Sequence, residues 1–188
     1  MKTDTLFYEL IRELPQVFFQ LIGKPESNLD AYKFIAQEVK QQSFRFDGIF
    51  STVEGFENEP LYFVELQTYK DDEFYERLFG EIFVYFRQYR PPNQEWYAIV
   101  IHDKRSNETP FHPRYQLLMD NYVHRIYLNE LSDNVNNPLF IEIAKLFVET
   151  PLQAIDKAQQ LVDKAQSEIT SPRIQSYSVS LYSRHCFL

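Results

Sequence analysis

Four glycines among 188 residues are too few for a phosphate-cradling loop, and none belongs to a Gly-rich run opening a helix, so P-loop NTPases and nicotinamide enzymes are excluded. The single cysteine, Cys186, cannot form an internal disulfide, and the chain starts without a basic region followed by an uninterrupted apolar run. A reducing, cytoplasmic setting is the expectation. No apolar stretch reaches the ~20 residues of a membrane span; Leu14 to Ile22, the most apolar early segment, contains Pro15, Gln16 and Gln20. The histidines show neither i,i+4 pairing nor HExxH spacing, which argues against a zinc site. Excess positive charge is also missing: 27 acidic residues against 19 basic ones leave a formal net charge of −8. Phosphate binding driven by Lys and Arg alone is therefore expected to be weak.

What the chain has in quantity is aromatic residues, 17 Phe and 13 Tyr, which points to a ring-rich core and long, regular elements. Its length suits one domain, expected over residues 1–169, with 170–188 lacking a steady period and expected to be a poorly ordered tail. Helical spacing runs from Asp4, as N-cap, to about Leu21, divided by Pro15. Residues 27–37 are too irregular to assign. An extended run follows over 38–50, then a polar connection and a strand over 61–68. Asp71-Asp72 is expected to cap a helix over 73–88, whose two adjoining apolar stripes require near-complete burial. Glu95 to His102 is the clearest strand; it is apolar throughout, which calls for helices on both faces of its sheet. A turn-rich stretch containing Pro110 and Pro113 leads to a last strand at 123–128, and helices are expected over 139–149 and from Pro151 to about Glu168.

Two of these strand-like runs carry acids where an unpaired carboxylate would cost several kcal/mol: Phe44-Arg45-Phe46-Asp47-Gly48-Ile49-Phe50 and Leu61-Tyr62-Phe63-Val64-Glu65-Leu66-Gln67. Strand alternation puts Glu65 and Gln67 on one side, and a hairpin would bring Asp47 to the same patch. Two carboxylates and an amide then converge at a sheet edge. A hard divalent cation, Mg²⁺ or Mn²⁺, would neutralise them. The competing reading is a structural carboxylate pair tied up by Arg45 and backbone donors.

Asp47 followed by Glu65-x-Gln67 resembles the PD-(D/E)XK nuclease signature, in which an Asp and a Glu-x-Lys on adjacent strands hold the metal. Gln67, standing where Lys is usual, is similar to the branch of recombination-promoting nucleases and putative transposases. Phe44 to Phe50, Tyr62 to Gln67 and Glu73 to Phe83 carry the likeness to an uncharacterised bacterial family attached to that branch. The resemblance implies an α/β, three-layer restriction-endonuclease-like fold, with a mixed central sheet flanked by helices. It implies a metal-dependent endonuclease acting on DNA, with Asp47 and Glu65 as Mg²⁺ (or Mn²⁺) ligands and Gln67 and Arg77 completing the site. A homodimer is compatible with this reading, whereas a nucleotide cofactor is not expected. The alternative is an inactive nuclease-fold protein serving as a protein-binding or assembly module.

Other polar groups have two readings each. Arg77 is either a site residue or an i,i+4 partner of Glu73 and Glu81, and Glu9 and Glu13 are a third acid or solvated helix charge. His102-Asp103 is a catalytic pair or the end of a strand. Arg77, Arg87, Arg90, Lys104, Arg105, Arg114 and Arg125 could make a local cleft positive.

Overall fold

The computed structural model describes residues 3–35, 38–39, 44–131 and 139–146, together with positions 148, 157, 160 and 161. Helix α1 spans Thr3–Glu13 and α2 spans Pro15–Leu21. Pro15 lacks the amide that would continue α1, and it holds Leu14 out of helical geometry (φ −126°, ψ 75°). At the first position of α2 the missing N–H costs nothing. Asp4, expected as an N-cap, instead lies inside the first turn of α1.

The strands are β1 (Tyr32–Ile35), β2 (Glu38–Val39), β3 (Phe44–Arg45), β4 (Gly48–Thr52), β5 (Leu61–Gln67), β6 (Trp96–His102) and β7 (Val123–Tyr127). Five form a mixed sheet in the order β1-β4-β5-β6-β7; β2 and β3 form a separate two-stranded ribbon. The first two pairings of the sheet, β1 with β4 and β4 with β5, are antiparallel. The pairings of β5 with β6 and β6 with β7 are parallel. Helix α3 (Phe74–Tyr89) crosses from β5 to β6, α4 (Gln116–Tyr122) precedes β7, and α5 is Leu139–Lys145.

Each face of the sheet has its own core. Phe50, Tyr62, Val64, Ile99 and Ile101 pack with α1, α2 and α5 residues such as Phe7, Leu10, Phe18 and Ile143. On the other face Ile49, Leu61, Phe63, Ala98 and Val100 pack with Leu78, Phe79 and Ile82 of α3 and Met119 of α4. The chain is thus α/β, with helices on both faces as the apolar β6 requires. Tyr85 sets its ring edge-on to Phe63 at 5.2 Å, and Phe86 does so at 5.6 Å. Such contacts fix how α3 lies across β5.

Several boundaries differ from expectation. The unassigned stretch contains β1, a four-residue edge strand that takes its pairing from β4. The extended run over 38–50 is broken: Asp47 sits in a bend before β4, and Phe46 enters the same core as Ile49. Gly48, next along, lies under the ring of Phe34, which occupies the space a Cβ would need. Glu73, not Asp71 or Asp72, is the N-cap of α3, and its amide donates to Asp71 Oδ1 at 3.1 Å. The turn-rich stretch holds α4, a helix too short to show a period. The helix expected from Pro151 lies outside the described residues except at 157, 160 and 161, where Leu161 joins the α1–α2–α5 core. The tail over 170–188, with Cys186, lies wholly outside them.

Candidate functional site

Gly48 pairs with Val64 across β4 and β5, so one further step sets Asp47 opposite Glu65. Their side chains exchange backbone bonds. The Asp47 amide donates to Glu65 Oε1 at 3.2 Å, and the Leu66 amide donates to Asp47 Oδ2 at 2.8 Å. Each carboxylate is therefore steered by an N–H from the other's strand. The Arg45 side chain, offered as their partner in the structural reading, lies outside what is described. Gln67 continues the row on the α3 side of β5; it is buried, and its Nε2 donates to the Tyr69 carbonyl.

Above the row lies α3. Arg77 donates through Nη1 to Asp71 Oδ2 at 2.6 Å, and its Nε lies 3.8 Å from Glu81 Oε1. Glu81 is only 4% exposed. This corrects the picture of a simple i,i+4 pair in solvent, because the two apolar stripes leave no room for a solvated third face at its position. Its place between Leu78, Ile82 and Tyr85 was the available signal. Arg77 pairs with Glu81 and its charge also acts on Glu65, so its two readings are not exclusive. Helix α1 packs its apolar stripe on the other face, and Glu13 pairs with Arg12. The further acid whose charge acts on Glu65 is Glu81.

The electrostatics follow from crowding. Loss of hydration, then the charges of Asp47 and Glu81, push the Glu65 carboxyl well above the usual carboxylate range, against the pull of the Asp47 amide and Arg77. Burial pushes Glu81 up to about 7, with Arg77 opposing and Asp47 adding to the rise. A carboxyl raised in the folded state binds protons that the unfolded chain has released. Stability is therefore full below the ordinary carboxylate pKa and is lost as pH rises through the folded value. For Glu81 the window runs from the reference 4.5 to about 7. Metal-free protein should accordingly lose stability across that window, by at most about 3 kcal/mol from Glu81. His102, whose pKa burial lowers from 6.5, offsets part of this by gaining stability as pH rises toward 6.5. Urea unfolding of the metal-free protein at pH 4.5, 6 and 7.5 checks the sign, and Glu81→Gln should flatten the decline. An identical decline in that variant would remove Glu81 from the account.

Among the described residues no group of three or more His, Cys, Asp or Glu could hold a metal ion. Any ion at Asp47 and Glu65 would thus have two carboxylates from the described residues. That donor set suits Mg²⁺ or Mn²⁺, which keep several waters and take further oxygens from a substrate phosphate, and it does not suit a closed protein cage. The crowding of Asp47, Glu65 and Glu81 fits such an ion.

A family model described as "Protein of unknown function (DUF2887)" matches residues 3–185. The chain belongs to that family. Comparison with curated proteins and with solved structures found no match.

Elsewhere in this DUF2887 chain, no hydrogen bond joins Asp103 to the His102 ring among the described residues. Asp103 Oδ1 accepts from the Lys104 amide and from Asn107 Nδ2, each at 2.7 Å. Of the seven basic residues suggested for a positive cleft, four are ion-paired: Arg77 with Asp71, Arg105 with Glu130, Arg114 with Glu76 and Arg125 with Glu108. No described helix is long and apolar enough to cross a membrane.

Proposed function

We propose that this chain is a metal-dependent DNA endonuclease of the PD-(D/E)XK kind, with Gln67 in the position usually held by Lys. One observation carries the reading: Asp47, at the bend before β4, and Glu65 of β5 are cross-tied by backbone amides, with Gln67 next in the row and Glu81 enclosed above it. Carboxylates gathered this closely in a poorly hydrated position favour a divalent cation over an inert polar core. The mixed sheet between helical layers suits a restriction-endonuclease-like arrangement.

Asp47 and Glu65 would hold Mg²⁺ or Mn²⁺, which when bound polarises a phosphoryl oxygen and lowers the pKa of a water. The protein's own groups do the rest. The amide of Gln67 orients water or a phosphate oxygen but carries no charge and takes no proton near neutral pH. Glu81, with its pKa near neutrality, holds a proton part of the time and so limits repulsion among the acids. Arg77, anchored by Asp71, supplies positive charge beside Glu65. With most of those arginines paired and a net charge of −8, the chain should hold DNA weakly unless metal is present.

Supercoiled plasmid and single-stranded DNA incubated with purified protein should be nicked with Mg²⁺ or Mn²⁺ and left intact with EDTA. The absence of cleavage of every DNA form in both metals would end the nuclease reading. It would leave the assembly-module alternative, which the exposed Tyr69, Phe83 and Leu117 side chains favour as contact points for a protein partner.

A further inference from the structure

The three parallel strands end in a row. Gln67 of β5 is in register with His102 of β6, and His102 with Tyr127 of β7. Strand alternation from Ala98 and Val100 puts the His102 side chain on the α3 side, beside that of Gln67. His102 is 1% exposed, yet among the described residues neither ring nitrogen has a hydrogen-bond partner. The Gln67 backbone is close enough to favour a charged ring, but not in hydrogen-bonding geometry. A buried imidazole left without partners is costly, and buried polar groups are normally satisfied.

The ring is nonetheless held firmly. It stacks on Tyr127 at 5.4 Å with 15° between the planes. Tyr127 donates its hydroxyl to Glu108 Oε2 at 2.6 Å and has the Arg105 guanidinium 3.8 Å from its ring centre. Glu108 in turn accepts from Arg125 at 2.7 Å. The charged groups around His102 are thus Glu108, Asp103 and Arg125, and burial keeps the imidazole neutral. A neutral ring keeps one N–H donor and one acceptor. Gln67, its neighbour, is at rest engaged with the Tyr69 carbonyl through Nε2, and that bond must be released if the amide is to serve water or phosphate.

We propose that His102 is a positioning residue of the candidate site: its ring N–H donates to the Gln67 side-chain carbonyl when the amide leaves Tyr69, holding Gln67 in its working orientation beside Asp47 and Glu65. This rests on the nuclease reading above. The locked, unsatisfied ring is then a partner prepared for a contact made only in the working state.

His102→Phe keeps the stack on Tyr127 and removes both nitrogens. It is expected to lower kcat for metal-dependent plasmid cleavage about ten- to a hundredfold, the cost of a mis-set group, with KM for DNA little changed. Its thermal midpoint should equal or exceed that of the wild type, because two unpaired buried atoms are gone. A merely structural histidine would lose stability instead. Gln67→Ala should show the same fall in kcat, and the double variant no further fall. His102→Gln, which retains a donor, should keep most of the rate and covers the case in which His102→Phe does not fold. Wild-type cleavage with undiminished kcat in His102→Phe, or additive losses in the double variant, would overturn this assignment alone. An inactive wild type would overturn it together with the nuclease reading.

Discussion

Glu65→Gln is expected to abolish metal-dependent cleavage while making the metal-free protein harder to unfold. The amide retains an acceptor for the Asp47 N–H and so leaves the cross-tie between β4 and β5 in place. What it removes is a charge crowded by Asp47 and Glu81 in a poorly hydrated position. Loss of one of the two carboxylates proposed to hold metal should cost at least about a hundred- to a thousandfold in rate, the size of a single electrostatic stabiliser. Relief of the repulsion should add about 1 to 3 kcal/mol at pH 7.5. Plasmid nicking rates and urea midpoints, measured on the same preparation, separate the two effects. A variant that loses cleavage and stability together would show that the carboxylate pair is structural.

Gln67→Lys is expected to act in the opposite direction on rate, raising cleavage by about tenfold or more. An ammonium group can stabilise the negative charge that develops on phosphate, which an amide does only through its dipole. The site can accept it. Gln67 already faces the Tyr69 carbonyl, an acceptor an ammonium can use, and Asp47 and Glu65 supply the opposite charge that a buried cation requires. The same substitution should pull the Glu65 carboxyl back toward the ordinary range, weakening the pH dependence of metal-free stability. Rates at saturating DNA, compared between the wild type and the Gln67→Lys variant, give the answer. A fall in rate with metal binding intact would mean that the amide itself, through geometry that Lys cannot copy, is what the site needs.

The sheet's central strands could be read from the sequence because β5 and β6 are continuous apolar runs with turn signals on either side. Asp47 and Glu65 could be paired because acids inside such runs demand an explanation. The route to that pairing was less visible. The bend at Asp47, rather than strict alternation through the run, sets its position, and no local signal marks a bend held by the Leu66 amide. Glu81 escaped because a charge at i,i+4 from an arginine ordinarily marks solvent, and its burial depends on how Tyr85 and Phe86 seat α3 against Phe63. The edge strand β1 has four residues and derives its geometry from β4; α4 has seven and derives its position from β6 and β7. Neither is long enough to declare itself. His102 reads as an ordinary strand end until Tyr127, on the neighbouring strand, is found stacked upon it.

The ring of Phe34 in the notch over Gly48 bears on how the border strand finds its alignment. A short border strand with Lys33 turned outward has few side chains to tell one alignment from the next, and sliding by a single residue would turn every side chain to the opposite face. Gly48 leaves room for the ring, whereas Phe50, two residues along on the same face, presents a full side chain. Phe34 therefore works as a pawl, stopping β1 and β4 from sliding past each other. Gly48 follows Asp47 and pairs with Val64 of β5, so one position without a side chain seats the border strand on one edge of β4 and adjoins the candidate acids on the other.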